Sequence, residues 1–172
     1  MNVFISYSVQ DTDLVRQIAG LLRPAVDGIF WWGMTRTLGQ ELWPQIFSQI
    51  DQSEVVLAVI TDRAVSRGMP MGVEIGHAKK GGKTIIPLIA PGVKDSDIAF
   101  LSGINYQQID RNNPGPAMRA VRNTILRMKF EGQLKQLKEK QQKEIEQNKN
   151  NLVMAAAGVV ALIYFLSADK AA

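Results

Sequence analysis

Val3-Phe4-Ile5-Ser6-Tyr7-Ser8 decides the fold, together with Asp11-Thr12-Asp13-Leu14-Val15 shortly after it. The stretch 3–8 is rich in β-formers and ends in three hydroxyl side chains, which predicts a short strand. The acidic turn then opens a helical pattern whose apolar residues are Leu14, Ile18, Leu21 and Leu22. A strand followed by a helix is typical of the first unit of an open α/β sheet. Because such sheets bind ligands beyond the carboxyl ends of their strands, Ser6, Tyr7 and Ser8 are candidate binding residues.

Short apolar runs alternate with helical patterns along the first 130 residues. The runs predicted as strands are 3–6, 28–32, 55–60, 84–89 and 105–109. The predicted helices are 11–22, 41–51, 70–80, 95–101 and 116–130. This alternation is typical of a parallel sheet with helices on both faces. The sequence therefore predicts a flavodoxin-like five-stranded α/β sheet in the order 2-1-3-4-5.

The third and fourth runs, Val-Val-Leu-Ala-Val-Ile and Thr-Ile-Ile-Pro-Leu-Ile, are apolar along nearly their whole length. Continuous apolar runs predict central strands buried on both faces. Pro87 is the exception, because a proline has no N–H to donate to a neighbouring strand. A proline in a ladder favours an edge strand or an interruption of the pairing.

The composition excludes several classes of site. The chain has no cysteine and one histidine, His77, so disulfides, thiolate metal sites and a cysteine nucleophile are excluded, and no metal site is predicted. Residues 1–130 carry fourteen Lys and Arg against eleven Asp and Glu. This balance is unlike the basic surface of a nucleic-acid-binding domain, so we expect no nucleic-acid partner.

The segment 131–151 is rich in Gln, Lys and Glu. Leu134 and Leu137 begin a seven-residue apolar pattern, but Gln141, Glu144 and Asn148 do not continue it, so the coiled-coil signal is weak. The sequence predicts a solvated helical stalk between the α/β domain, 1–130, and the residues that follow.

Residues 150–168 form a run of nineteen residues without a charge. As a helix this run would be about 28 Å long, close to the hydrocarbon thickness of a bilayer, about 30 Å. We expect a transmembrane helix at 152–168. Lys149 precedes it, so the positive-inside rule predicts a single-pass, tail-anchored protein of the inner cell membrane with a cytoplasmic domain. The alternative is a buried helix or a helix contact within an oligomer.

The loop after the second predicted strand combines tryptophans with a basic residue. It contains Trp32, Arg36, Gly39 and Trp43 just before and within the first turn of the next helix. Free amide groups at a helix start and an arginine can bind phosphate, and tryptophan rings can stack on a ligand. The competing interpretation is that both tryptophans pack in the protein.

The stretch from Thr61 to Ala78 contains a serine and a glutamate at informative positions. Met71, Ile75 and Ala78 form the inward side of the predicted helix 70–80, so Glu74 lies at its edge. Its side chain leans toward the helix N-terminus, which adjoins the carboxyl edge of the sheet. A lone helical glutamate is otherwise most simply a solvated surface residue, and His77 is most simply a packing residue.

These motifs together resemble TIR domains, the Toll/interleukin-1 receptor and resistance-protein family. The opening strand is similar to theirs, and Gly39 and Trp43 match positions of the family's BB loop. TIR domains that cleave NAD carry a serine after the third strand and a glutamate three residues beyond a Trp-Cys pair. Ser66 and Glu74 match that serine and glutamate, whereas Pro70 and Met71 replace the Trp-Cys pair.

The resemblance implies a prokaryotic NAD-cleaving enzyme with Glu74 as catalytic residue and NAD as substrate rather than cofactor. Nicotinamide is a cationic leaving group, so one carboxylate suffices to stabilise the transition state. The product would arise by NAD⁺ glycohydrolase or ADP-ribosyl cyclase activity, in antiphage defence. The family also implies TIR–TIR homo-oligomers. Two alternatives stay open: a non-catalytic adaptor that acts by assembly, and an enzyme like the nucleoside deoxyribosyltransferases.

Overall fold

The computed structural model describes residues 1–33, 39, 41–65 and 70–168, with side chains as far as residue 151. Its five strands are β1 (Asn2–Tyr7), β2 (Gly28–Trp31), β3 (Val55–Ile60), β4 (Thr84–Ile89) and β5 (Gln107–Gln108). The α-helices are α1 (Thr12–Leu22), α2 (Leu42–Asp51), α3 (Asp62–Val65), α4 (Pro70–Lys80) and α5 (Gly115–Ala168). Short 3-10 helices cover Val9–Asp11, Arg23–Ala25 and Asp95–Leu101.

The strands form one parallel sheet in the order β2-β1-β3-β4-β5, which confirms the predicted topology. Every residue of β3 is buried, as expected for a central strand covered on both faces. Alternate residues point to opposite faces, and Val56, Ala58 and Ile60 pack with Ile46 of α2 and Ile75 of α4. The α2 and α4 helices are therefore fixed on one face, beside the strand ends.

Proline in β4 is accommodated where the outer ladder has not yet begun. Pro87 aligns with Ala58 of β3, but β5 pairs only with Leu88 and Ile89. The ladder between β3 and β4 runs through Pro87 and β4 is not an edge strand, so the expected edge or interruption is not found; on the other side β5 pairs only from the residue after Pro87. The fifth strand is shorter than the predicted 105–109, and 95–101 is a 3-10 helix rather than an α-helix because Ile98 leaves helical geometry (φ −115°, ψ 16°).

The chain forms two compact units, Met1–Arg127 and Met128–Ala172. The α5 helix runs through the predicted stalk without interruption. Among the helices whose side chains the structure describes, none has the length and hydropathy that crossing a bilayer requires. The predicted span, 152–168, lies outside the described side chains, so the transmembrane anchor gains no support and stays a prediction.

Candidate active site

A cavity of about 750 Å³ opens at the carboxyl edge of the sheet in the first unit. Its walls come from the ends of β1 and β3, the residue after β2, helices α2, α3 and α4, and the 3-10 helix Asp95–Leu101. This is the edge at which open α/β sheets bind ligands, and the volume falls in the range of about 300–1,000 Å³ of small-molecule pockets.

Glu74 lies in the wall of this cavity and is only 5% exposed. It is held there by α4, whose Ile75 and Ala78 are buried in the core beside it. Burial among apolar groups disfavours the charged form and raises the pKa of Glu74 from 4.5 to about 7, while Ser6 opposes this rise. The carboxyl group is therefore poised to change charge near neutral pH.

The three hydroxyl residues of the first strand take different positions. Ser6 is buried behind the cavity near Glu74, and its Oγ has no hydrogen-bond partner of standard geometry among the described residues. Tyr7 and Ser8 line the cavity itself. The structure thus brings all three predicted residues to the Glu74 side of the sheet edge.

The Tyr7 phenol contacts both the cavity and the loop after β2. Burial raises its pKa, a change that the charge of Glu74 reinforces and that contacts with Thr12, Gly33 and Arg16 oppose. A Cβ at Gly33 would come within 3.2 Å of the Tyr7 hydroxyl. Gly33, which the sequence did not indicate, therefore allows this close approach.

Trp32 and Trp43 both line the cavity. Trp32 also packs against the core, and the Trp43 ring lies 5.6 Å from the Phe47 ring, centroid to centroid. Both rings therefore pack in the protein and also form part of the cavity wall, and their stacking on a ligand stays a prediction.

Acidic groups supply the charge of the cavity wall. Among the described residues, the charged side chains that line it are Glu74 and Asp97, and no lysine or arginine joins them. Asp97, from the 3-10 helix after β4, accepts a hydrogen bond from the Lys94 backbone N–H at 3.4 Å. The sequence reasoning missed Asp97, although a carboxylate soon after a strand end could have indicated it. Such a wall favours a cationic group over an anionic one.

The remaining predicted residues are Arg36, Gly39 and Ser66. Arg36 and Ser66 fall outside the described residues. Gly39 is described, has a left-handed φ of 80° that favours glycine, and does not line the cavity. The left-handed backbone conformation at position 39 therefore accounts for the glycine.

His77 faces α2 rather than the cavity. Its ring stacks on Phe47 with centroids 4.3 Å apart, and its Nε2 lies 2.8 Å from Asp51 Oδ1. These contacts fit the packing role that the sequence favoured.

A second buried carboxylate lies at the same sheet edge. Asp11 accepts a hydrogen bond from Thr61 Oγ1 at 2.6 Å, and its other oxygen lies 3.7 Å from an Arg111 Nη atom. Arg111 also pairs with Asp62. These contacts tie together the segments that follow β1, β3 and β5, and sequence reasoning did not identify them.

Comparisons with known proteins agree with this architecture. The model of the TIR domain family matches residues 3–124, more than half of the chain. No curated protein sequence matches. The fold is similar to a Clostridium botulinum CMP N-glycosidase, BcmB (16% identity, 70% of this chain and 98% of that one, TM-score 0.49).

Two further solved structures are similar at the level of the fold. One is a 2-deoxyribosyltransferase from Bacillus psychrosaccharolyticus (13% identity, 66% of this chain and 89% of that one, TM-score 0.48). The other is a probable GTP-binding protein, engB (12% identity, 74% of this chain and 99% of that one, TM-score 0.50). At these identities the likeness concerns the fold alone, so no activity is transferred from them.

Proposed function

This chain belongs to the TIR domain family, and from that premise we propose that it cleaves NAD at the bond between nicotinamide and ribose. The observation that carries the proposal is the buried carboxyl group of Glu74, which lies in a largely apolar cavity. Among the described residues, no lysine or arginine lines this cavity. The nicotinamide ribosyl group is cationic, which matches this wall.

In the proposed reaction, the C–N bond breaks and its electron pair returns to the nicotinamide nitrogen, which leaves as a neutral base. Positive charge moves to the ribose ring, and the Glu74 carboxylate stabilises it. The apolar wall strengthens this interaction because little solvent screens it. Water then attacks the ribose and loses a proton, or an adenine nitrogen of the same molecule attacks it to give a cyclic product.

The raised pKa of Glu74 suits a cationic substrate. In the free protein the carboxyl is protonated about half of the time near pH 7, because its pKa is about 7. A bound cation favours the ionised form and lowers this pKa, so the charge appears when the substrate is in place.

Other residues of the cavity wall can bind the remaining parts of NAD. Trp32 and Trp43 offer surfaces for ring stacking, and the Tyr7 and Ser8 hydroxyls offer hydrogen bonds to ribose. We assign Arg36 to the diphosphate and Ser66 to the substrate, as the family resemblance implies.

The direct test is to incubate the full chain with NAD and separate the products by chromatography. We expect nicotinamide together with ADP-ribose or a cyclic ADP-ribose. Glu74→Gln should lower kcat/KM by about 100- to 1,000-fold, the usual cost of losing one charge-stabilising group. Asp13→Asn is the matched control because Asp13 is exposed and pairs only with Arg16 among the described residues. Equal turnover by the Glu74→Gln variant and the wild type would contradict the assignment.

The same incubation, repeated with nucleosides in place of NAD, separates the two alternatives. An enzyme like the nucleoside deoxyribosyltransferases would leave NAD intact and cleave nucleosides. An adaptor would cleave neither and would act through TIR–TIR homo-oligomers. One observation favours assembly in addition to catalysis: five large apolar residues on the cavity wall are 37–51% exposed, namely Val9, Leu42, Trp43, Val73 and Phe100.

We further propose that residues 152–168 anchor the protein in the inner cell membrane with its TIR domain in the cytoplasm. The support is the uncharged run 150–168. Deletion of residues 152–172 should move the protein from carbonate-washed membranes to the soluble fraction. Retention of the truncated chain in the membranes would contradict the anchor.

A role in antiphage defence follows from the same family resemblance. Cells that carry the wild-type chain should resist phage infection better than cells that carry Glu74→Gln, and their NAD should fall on infection. Equal protection by both would remove NAD cleavage from that role.

A further inference from the structure

One side of α5 exposes large apolar side chains in the second unit. They are Phe130, Leu134, Leu137 and Ile145, each 41–66% exposed. We call these residues the α5 stripe. At about 100° per residue they fall within one arc of roughly 80° on the helix. Large apolar residues on a solvated helix face mark an interaction surface.

The spacing of the stripe keeps it on one side of the helix. Phe130, Leu134 and Leu137 lie three or four residues apart, and Ile145 follows Leu137 by eight, about two turns. Gln141 and Asn148 interrupt the apolar pattern on this side, under a seven-residue as under an eleven-residue repeat.

We propose that the α5 stripe binds the α5 stripe of a second copy of this chain, in parallel and in register. The proposal is independent of NAD cleavage. Two polar residues on the same side of the helix favour this partner.

The polar residues favour an identical partner. Gln141 lies four residues after Leu137, and Asn148 lies three residues after Ile145, so both share the side of the stripe. An amide has both donors and an acceptor, so two copies of the same amide placed opposite each other satisfy one another. Against an apolar partner surface these groups would be buried without hydrogen bonds, which is costly. A polar pair in such a seam also fixes its register.

The same amides favour the parallel arrangement. In a parallel, in-register pair, Gln141 meets Gln141 and Asn148 meets Asn148 of the other copy. In an antiparallel pair centred on Leu137, the two Asn148 side chains would lie about 30 Å apart and could not pair.

Disulfide cross-linking tests the proposal directly because the chain has no cysteine of its own. Asn148→Cys places a thiol in the seam, and Gln147→Cys places one on the outer face as the matched control. In the full chain under a mild oxidant, we expect Asn148→Cys to form dimers about tenfold faster, since a disulfide needs Cα atoms within about 7 Å. An antiparallel pair centred on Leu137 would separate the two thiols by about 30 Å.

A second substitution tests whether Leu137 lies in the contact between the two helices. Leu137→Glu in the Asn148→Cys chain should lower the rate of dimer formation about fivefold or more, whereas Gln136→Glu on the outer face should not. Equal cross-linking at positions 147 and 148 would overturn the proposal. So would an absence of dimers, as expected for a stripe that binds a different protein, or cross-linking that Leu137→Glu leaves unchanged.

Discussion

Asp11 and Glu74 are two buried carboxyl groups at the same edge of one sheet, and they are only 2% and 5% exposed. Asp11 accepts a hydrogen bond from Thr61 and faces Arg111, so its charge is compensated. Glu74 has the Ser6 hydroxyl nearby and lies in a largely apolar cavity, and burial raises its pKa to about 7. Within the described part of the chain, the two sites differ in whether the protein supplies a counter-charge.

The presence or absence of a counter-charge determines what each carboxylate can do. A buried charge that the protein already pairs contributes to structure, because breaking the pair leaves an uncompensated group. A buried carboxyl without a cation nearby remains available to a cationic ligand and lowers the stability of the free protein when it ionises. Neutralising each residue in turn should therefore shift stability in opposite directions.

The largest expected shift belongs to Glu74→Gln. A folded-state pKa of about 7 against 4.5 means that the folded wild type binds more protons between those values, so its stability falls as pH rises through this window. The glutamine variant lacks this loss and should be more stable than the wild type above pH 8, by up to about 3 kcal/mol. Below about pH 4.5, where both states of the wild type are protonated, the two proteins should differ little.

Urea unfolding followed by tryptophan fluorescence measures this difference, because Trp31, Trp32 and Trp43 all lie in the first unit. Asp13→Asn serves again as the control and should show no such pH-dependent gain. A constant difference between wild type and Glu74→Gln at all pH values would show that Glu74 does not ionise in this window.

The next prediction uses activity to examine the same ionisation. If Glu74 must be charged, kcat/KM for NAD should rise with pH to a plateau above about 7 and be about a hundredfold lower at pH 5. The value of kcat should hold to lower pH than kcat/KM, because the bound cation lowers the pKa of Glu74 in the complex. Steady-state kinetics from pH 5 to 9 give both profiles. A kcat/KM that does not change across this range would contradict an ionised Glu74.

Local sequence patterns predict the sheet and the place of Glu74. The apolar run of β3 and the spacing of Ile75 and Ala78 depend on neighbours in the chain, so periodicity alone indicates them. Asp97 was missed because its position depends on how the segment after β4 meets α4 across the cavity. The contacts among Asp11, Thr61 and Arg111 were missed for the same reason, since they join residues 50 or more positions apart.

Asp11→Asn has the smallest of the three expected effects, and it tests the carboxylate whose charge Arg111 compensates. An asparagine oxygen can still accept the hydrogen bond from Thr61, but the amide removes the negative charge that faces Arg111. We expect the free energy of unfolding at pH 7 to fall by about 2 kcal/mol, a typical value for a hydrogen-bonded charge. The exposed Asp13–Arg16 pair provides the control, and Asp13→Asn should change stability by no more than about 0.5 kcal/mol.

Since Asp11 does not line the cavity, its loss should leave the pH profile of NAD cleavage unchanged. Urea unfolding of this variant measures the loss of stability, and its kcat/KM profile shows whether the pH dependence is unchanged. If Asp11→Asn stabilised the protein as Glu74→Gln is expected to do, Arg111 would not compensate the charge. The distinction between a structural and a functional buried carboxylate at this edge would then be wrong.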